Sequence, residues 1–373
     1  MDLSSFSTDL LHADDNVEDL CDVSPAIHLS TTYEYTKDNK PRDAVYSRES
    51  VPTVQRCEAV LAKILGAPCV TYSSGLSAAY ALLVHLCPRR LYLERAEKGG
   101  YHGSLGVADI FKRHSHIEIH TLDKLDGNDF VLEKGDIVWL ETPLNPTGEA
   151  TDIARYAKIA AQKDAVVIVD ATFAPPPLQD PLQMGAHWVL HSATKYFGGH
   201  SDLLAGVVAS NDSSAIAQLL HDRTYLGTIP SGHTAWLLLR SLRTFELRIT
   251  RQAATAAELV KRLHELVLKS GLQAVKHSSL QHESYIAKQM PGGHSPTFAI
   301  YFDTEGQAAA FPRELKLFHH ATSLGGVESL VEWRALSDSH CDRRLVRVSV
   351  GLENVDDLWL DLLHGIETVR KDT

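Results

Sequence analysis

Residues 188–202 read WVLHSATKYFGGHSD, and this segment decides how the fold and the site are interpreted. An apolar run ends at Ser192 and Thr194, and Lys195 and a glycine pair follow at once. A short apolar run predicts a strand buried on both faces, and open α/β sheets bind ligands at the carboxyl ends of such strands. A lysine beside two glycines is by itself more often a solvated loop residue, so its role depends on what the neighbouring strands supply.

Three other predicted strands also end in polar groups. The segment VIVD ends at Asp170, WLET supplies Glu141, and YSSG places Ser74 and Gly75 at the start of a helix. Carboxyl ends of parallel strands lie at one edge of a sheet, so these groups are expected to lie near Lys195. Each alone has an ordinary explanation as a helix cap or a turn, but their order along the chain favours one shared site.

Together these groups match what a pyridoxal phosphate (PLP) site requires: an amine for the aldehyde, an acid beside the pyridine nitrogen and a cradle for the phosphate. We predict that Lys195 forms the Schiff base, because a lysine in a partly desolvated pocket loses part of its preference for the ammonium form. Asp170 is predicted to keep the pyridine nitrogen protonated. The predicted phosphate ligands are the hydroxyls of Ser192 and Thr194 and the start of the helix at Ser74, Gly75 and Leu76.

Alternating helical and extended patterns from about residue 50 predict an α/β protein with a mostly parallel sheet. We place a domain boundary near residue 240, which gives a large domain over residues 50–240 and a smaller C-terminal α/β domain over residues 241–373. Strands are predicted at 69–74, 136–142, 165–171, 188–192 and 204–210 and near 297–303 and 346–351. Helices are predicted from 52 to 65, from 75 to 86 and after 151, with a long helical tract from about 233 to 270.

Composition limits the classes of function. The chain has 373 residues, of which 44% are hydrophobic, and its 36 basic and 47 acidic residues give a net charge of -11. The basic residues are scattered, which argues against a nucleic-acid partner. We expect a cytoplasmic protein that does not bind membranes, since we find no N-terminal leader and no apolar segment of about 20 residues.

The cysteine and histidine patterns argue against a metal site. The five cysteines are far apart and form no C-x-x-C pair, so we expect buried thiols and neither a disulfide framework nor a zinc site. None of the 20 histidines stands in a recognised ligand spacing, and we predict no metal.

The chain resembles the Cys/Met-metabolism family of fold-type I PLP enzymes, which includes cystathionine γ-synthases and γ-lyases, methionine γ-lyases and homoserine sulfhydrylases. The resemblance extends from about residue 12 almost to the C-terminus. It rests on YSRESVPTVQRCEAVLA (46–62), the lysine segment (169–202), SLGGVESL (323–330) and VRVSVGLE (346–353). It implies a PLP-dependent transferase that assembles as a homotetramer, a dimer of dimers, with residues 1–49 as an arm that contributes to the neighbouring subunit.

The resemblance also implies roles for individual residues. Tyr46 and Arg48 reach the cofactor phosphate of the neighbouring subunit, and Tyr101 stacks on the cofactor ring and serves in proton transfer. Arg347 binds the substrate α-carboxylate through a two-pronged hydrogen bond; the alternative for this residue is a structural ion pair. The remaining predicted positions are Thr172 at the cofactor and Glu141, Asn145, Ser323 and Glu328 at the substrate.

Departures from the family pattern bear on the substrates. Glu328 favours the cystathionine branch, but arginines that hold distal carboxylates in bacterial γ-synthases are replaced here by Glu49 and Gly106. We therefore expect a donor without a distal carboxylate, such as O-acetyl-L-homoserine, and doubt that cysteine is the acceptor. The segment EWRALSDSH also differs from the family, which indicates an acceptor pocket remodelled around Glu332, Trp333 and Arg334.

We predict γ-substitution on an O-acyl-L-homoserine by a thiol or by a carbon nucleophile such as the enolate of a β-keto acid. The form YHG, with His102, is similar to fungal synthase-like members, some of which join a carbon nucleophile to the γ-carbon. A cystathionine or methionine γ-lyase, which releases an α-keto acid and ammonia, is the enzymatic alternative. A PLP-fold protein without catalysis is the alternative from another class, and it would have to explain why the lysine, aspartate, tyrosine and arginine are all present.

Overall fold

The computed structural model describes residues 5–17, 22–94, 97–127, 130–267 and 272–371. The strands are β1 Cys69–Tyr72, β2 Arg90–Leu93, β3 Glu118–Thr121, β4 Ile137–Glu141, β5 Val166–Asp170, β6 Trp188–His191, β7 Gly206–Ala209, β8 Leu272–Lys276, β9 Thr297–Phe302, β10 His319–His320, β11 Leu330–Trp333 and β12 Leu345–Ser349. The α-helices are α1 Phe6–His12, α2 Pro52–Leu65, α3 Gly75–Leu86, α4 His102–Lys112, α5 Ile153–Ala161, α6 Ser213–Leu226, α7 Gly232–Leu242, α8 Phe245–Val267, α9 Ile286–Gln289, α10 Glu305–Glu314 and α11 Val355–Lys371.

The described strands form two sheets. The larger has the order β1-β7-β6-β5-β4-β2-β3, and its neighbours pair in parallel except where β7 lies antiparallel between β1 and β6. The smaller has the order β10-β11-β12-β9-β8 and is antiparallel apart from the β10–β11 pair. The predicted α/β fold with a mostly parallel sheet is therefore confirmed. None of the described helices has the length and apolar character needed to cross a membrane.

The central strands of the larger sheet are buried on both faces. Ile137, Val138 and Leu140 of β4 are 0% exposed, and Val167 and Val169 of β5 are equally inaccessible. Helices must cover both faces of such a sheet, and the only polar positions left are at the strand ends. This is why the continuous apolar runs in the sequence locate both the strands and the edge at which the site lies.

The long helical tract predicted from about 233 to 270 is present as two helices, α7 and α8, with a break at residues 243–244 that the sequence did not predict. The carbonyl of Ser241 accepts hydrogen bonds from the Thr244 N–H and from Arg248 Nη2 at the break. Arg248 also donates to the carbonyls of Tyr196 and Phe197 at 2.8 and 3.2 Å. The buried guanidinium of Arg248 therefore binds the loop that follows Lys195.

The second glycine after the lysine is explained by its contact with Arg248. Gly199 has a left-handed φ of 69°, and a side chain there would collide with the guanidinium of Arg248. Glycine is the residue that adopts this conformation and leaves this space.

The expectation of buried thiols holds for Cys57 and Cys69 but is wrong for Cys87, which is exposed, while Cys341 is half-buried. Cys87 lies just after α3 with a positive φ of 42°, at a surface turn where the sequence gives no burial signal. Cys21 lies outside the described residues. The proposed boundary at residue 240 falls within α7, and the three-part division of the chain stays a prediction.

Candidate active site

A cavity of about 490 Å³ lies where β4, β5 and β6 end. It brings together most of the residues that the sequence predicts for the site. The predicted residues that line it are Ser74, Gly75, Leu76, Tyr101, Glu141, Asn145, Asp170, Thr172, Ser192, Thr194, Lys195, Ser323 and Arg347. Tyr46, Arg48 and Glu328 are not among its lining residues.

Lys195 is a buried lysine with a hydrogen-bond partner but no directly paired carboxylate among the described residues. Its Nζ donates to Ser323 Oγ at 2.7 Å. Burial, and secondarily the charge of Arg347, lowers the pKa of Lys195 to about 8. Roughly a tenth of this amine is therefore neutral at pH 7, far more than for an ordinary lysine, and the neutral form is the one that acts as a nucleophile or a base.

Ser323 is held in a strained backbone conformation. Its φ is 87°, a region that residues with a side chain rarely adopt and that costs about 1–3 kcal/mol. The conformation lets one residue make two contacts, since Ser323 Oγ accepts from Lys195 and its carbonyl accepts from Arg347 Nη2 at 2.8 Å. The strained conformation of Ser323 thus helps to position Lys195 and Arg347.

Asp170 lies at the end of β5 and is buried. Its Oδ1 accepts from the Thr172 N–H at 3.0 Å and from Thr172 Oγ1 at 2.6 Å, and Thr172 Oγ1 accepts from the Ser192 N–H at 2.9 Å. Burial raises the pKa of Asp170 to about 6, and the two bonds from Thr172 act in the opposite direction. Thr172 therefore orients the carboxylate and connects the ends of β5 and β6.

Glu141 orients two other residues of the site. Its Oε2 accepts from the Tyr101 N–H at 2.6 Å, and its Oε1 accepts from the Asn145 N–H at 3.0 Å. Burial, and next the charge of Asp170, raises the pKa of Glu141 to about 8. Burial together with Asp170 and Glu141 also raises the pKa of Tyr101, so its phenol keeps its proton and can donate it.

The position of Arg347 is compatible with both roles that the sequence left open, a carboxylate ligand and a structural ion pair. It lies on β12 directly opposite Glu332 of β11, and its Nη2 is 2.6 Å from Glu332 Oε2. Its Nη1 donates to Asn145 Oδ1 at 2.9 Å, and the residue lines the cavity. Arg347 is therefore an ion-paired residue whose position is fixed at the wall of the site.

Comparison with known proteins identifies the arrangement. The family model described as "Cys/Met metabolism PLP-dependent enzyme" matches residues 7–367. The chain belongs to this family. It is 34% identical to cystathionine γ-synthase of Escherichia coli over 94% of both chains, and 34% identical to cystathionine γ-lyase of Saccharomyces cerevisiae over 97% of both. The crystal structure of metB from Corynebacterium glutamicum superimposes with a TM-score of 0.91 at 31% identity and covers 98% of this chain and 99% of that one.

PLP is the cofactor of this family, and the cavity fits it. The cofactor supplies an aldehyde that captures amino groups and a cationic ring that withdraws electrons from the captured carbon. Lys195 offers a desolvated amine for the aldehyde, and Asp170 offers a buried carboxylate that lacks a cationic partner among the described side chains. We propose that Lys195 would hold the cofactor through its aldehyde and that Asp170 would face its ring nitrogen.

The start of α3 has features that fit the predicted phosphate site. The first N–H groups of a helix have no acceptor within the helix, and only that of Ser77 is capped here, by Ser74 Oγ at 3.0 Å. Gly75 approaches Ser192 so closely that a Cβ would lie 3.0 Å from the Ser192 Cβ. The close approach brings the helix start and the Ser192 hydroxyl to one wall, as a phosphate site needs.

The cofactor contacts of Thr194, Tyr46 and Arg48 remain predictions, as do the roles of the other site residues. Thr194 lines the cavity, but its hydroxyl donates to the Ala205 carbonyl at 3.2 Å and accepts from the Ala205 N–H at 3.0 Å, so it would have to exchange a bond to donate to a phosphate. Tyr46 and Arg48 stack on each other with 5.1 Å between the guanidinium carbon and the ring centre. Tyr46 is 40% exposed, as a residue that serves a neighbouring subunit would be in a single chain.

On the substrate side, the structure adds one cluster to the predicted residues. Glu328 lines a second cavity that adjoins the first. Trp333 lines neither of these two cavities, and its indole N–H donates to the Arg343 carbonyl. The pairing of Glu332 with Arg347 and the contribution of Ser337 to the cavity wall were not anticipated. The available signal was one charged residue in each of two short apolar segments, LVEW and VRVS, which pair as β11 and β12.

The lowered pKa of Lys195 gives a pH prediction for reconstitution. The neutral amine attacks the PLP aldehyde, so covalent binding of PLP to the apoprotein should accelerate as pH rises through about 8 rather than through the usual 10.5. The absorbance change on mixing apoprotein and PLP measures this rate at each pH. A rate that rises only above pH 10, or does not depend on pH, would contradict the assignment.

Proposed function

We propose that the protein catalyses γ-substitution on an O-acyl-L-homoserine, with O-acetyl-L-homoserine as donor and a thiol or a carbon nucleophile as acceptor. The observation that carries the proposal is that two cavities meet at Lys195. The second, of about 770 Å³, shares Thr194, Lys195, Leu204, Thr322, Ser323 and Leu324 with the first. Adjoining spaces at one reactive group support a reaction of two substrates.

The first cavity supports the binding of an amino acid. Arg347, Asn145 and Ser323 offer a guanidinium, an amide and a hydroxyl on one wall. A guanidinium binds a carboxylate through two parallel hydrogen bonds, and the bond from Arg347 to Asn145 fixes the plane in which they form. The α-carboxylate of the donor is therefore assigned to Arg347.

Proton transfer is assigned to two residues. The amine of Lys195, once free, has the lowered pKa of a base that can remove a proton from carbon near neutral pH. The phenol of Tyr101 has a raised pKa and remains protonated, so it can deliver a proton to a departing group. The Glu141 carboxyl holds the backbone of Tyr101 and thereby sets the position of the phenol.

The choice of donor is supported by two positions that carry no positive charge, Glu49 and Gly106. Glu49 is exposed and acidic, and Gly106 is exposed on α4 with no atom near the position of a Cβ. Neither position offers a cation to a distal carboxylate of the acyl group. An acetyl ester, which has no such carboxylate, is therefore the proposed donor.

The proposal predicts product formation that depends on an acceptor. Purified holoenzyme incubated with O-acetyl-L-homoserine and a panel of thiols and β-keto acids should release acetate and form a γ-substituted amino acid, as measured by mass spectrometry. O-succinyl-L-homoserine is the matched donor and should react more slowly. If no acceptor gives a γ-substituted product, the proposal is wrong.

A γ-lyase is the second candidate, because the chain is as similar to the yeast γ-lyase as to the bacterial γ-synthase. A lyase would release an α-keto acid and ammonia from cystathionine or methionine without any acceptor. An assay for α-keto acid in acceptor-free reactions distinguishes the two candidates.

A further inference from the structure

Arg334, which the sequence places in a remodelled acceptor pocket, is a second guanidinium in the wall of the cavity, and what it binds there has not yet been assigned. It follows β11, and its side chain is only 2% exposed. Arginine stays charged in proteins, and a buried charge is costly unless hydrogen-bond acceptors surround it. The partners of its five N–H groups therefore show what the residue is equipped to bind.

One edge of this guanidinium is occupied and the other is not. Nη1 donates to Glu332 Oε2 at 3.2 Å and to Ser337 Oγ at 3.0 Å. Within the described ranges Nε and Nη2 have no hydrogen-bond acceptor, and Asp338 Oδ2, at 3.8 Å from Nη2, is too far to serve. Nε and Nη2 form the edge that binds a carboxylate through two parallel hydrogen bonds.

The surrounding residues hold Arg334 in place without occupying that edge. Glu332 Oε2 is shared between Arg334 and Arg347, while its Oε1 accepts from Ser337 Oγ at 2.6 Å. One carboxylate therefore anchors two guanidinium groups that line the same cavity. Two cationic groups on one cavity wall can receive two separate anions.

The charge of Arg334 influences the pKa values of residues on the side of the cavity where proton transfer is assigned. Burial and nearby carboxylates raise the pKa of Tyr101 and of Glu141, and Arg334 acts against this rise in both cases. An anion bound at Arg334 would thus lie within electrostatic reach of the reacting groups, on a wall shared with Ser337.

We infer that Arg334 binds a carboxylate of the acceptor, so that the nucleophile is an anionic thiol or β-keto acid. The inference rests on the proposed γ-substitution, which supplies a second reactant. Arg347 takes the α-carboxylate of the donor and Arg334 takes that of the nucleophile. Because the free edge is buried, the Arg334 side chain turns toward the cavity as the anion enters and exchanges its bond to Ser337 for bonds to the ligand.

The test compares two nucleophiles that differ only in charge, 3-mercaptopropionate and 3-mercaptopropionamide, with O-acetyl-L-homoserine as donor. Acetoacetate and acetoacetamide form the matching carbon pair. In R334M holoenzyme the ratio of kcat/KM for the anionic over the neutral nucleophile should fall by roughly 10- to 150-fold, the value expected for charge-assisted hydrogen bonds. The control R343M removes an exposed arginine paired with Glu305 and should leave the ratio as in the wild type.

R334K provides a second variant in case R334M does not fold. It keeps the buried charge but lacks the two-pronged edge, so the ratio should fall by less than in R334M. Equal losses for both nucleophiles would show a structural role and overturn the inference. A shift of selectivity between O-acetyl and O-succinyl donors instead of between nucleophiles would also overturn it.

A binding experiment separates this inference from the proposed function. Glutarate offers two carboxylates and butyrate one, and neither reacts. Calorimetry should show that glutarate binds wild-type holoenzyme more tightly than butyrate does, and that R334M removes the difference. If the wild type forms no γ-substituted product, the proposed function fails and this comparison alone decides the inference: a preference lost in R334M supports it, and equal binding overturns it.

Discussion

Replacing Lys195 by alanine should reduce turnover of the amino-acid donor by at least about 10³-fold. The substitution removes the proposed base, and loss of general acid–base catalysis alone costs roughly 10²- to 10⁴-fold. It also removes the amine that would link PLP covalently to the protein. Initial rates with saturating donor and acceptor measure the effect.

The covalent link itself can be mapped in the same experiment. Borohydride treatment of wild-type holoenzyme should attach the cofactor to the peptide that contains Lys195, as detected by mass spectrometry, and K195A should show no such peptide. K163A, which alters an exposed lysine of the same region, is the control and should behave as the wild type. A K195A variant that keeps a tenth of the wild-type activity, with unchanged thermal unfolding, would remove the basis of the assigned chemistry.

Replacing Asp170 by asparagine should lower kcat by roughly 10²- to 10⁴-fold while PLP remains bound. Removing one partner of a buried ion pair costs about 3–5 kcal/mol, which converts to a rate loss of this size when the cost falls on the transition state. Asparagine keeps the oxygen that accepts from Thr172, so the geometry at the end of β5 is preserved. The missing negative charge is then the only major change.

Absorbance of bound PLP and steady-state rates measure these two effects separately. D164N is the matched control, because Asp164 is exposed in the turn that leads into β5 and lies away from the cavity. If D170N turned over at the wild-type rate, Asp170 would not be the acid that faces the pyridine nitrogen. If it lost PLP altogether, its role would be in binding and not in rate.

The part of the site that sequence predicted best is the edge of the larger sheet. Each of Glu141, Asp170 and Ser192 follows a short apolar run, and the physical rule that connects such runs to a buried parallel sheet depends only on local sequence. Sequence alone therefore predicts that these residues lie together at one edge of the sheet, and there they line the cavity.

The part that sequence missed depends on contacts between distant segments. Glu332 faces Arg347 because β11 and β12 pair in one particular register, and nothing local to either segment specifies that register. The break between α7 and α8 likewise accompanies bonds that Arg248 makes to Tyr196 and Phe197, which are distant in the sequence. A periodic apolar pattern continues across residues 243–244 and gives no sign of the break.

Arg248 has a consequence for the stability of the site. Its guanidinium joins the first turn of α8 to the peptide groups just after Lys195, and burial lowers its pKa to about 10 without removing its charge at neutral pH. If either α8 or the loop after Lys195 opened alone, the buried charge of Arg248 would lose its carbonyl acceptors. Such separate opening is therefore costly in free energy. Local unfolding of α8 and opening of the loop that follows Lys195 should therefore occur as a single cooperative event.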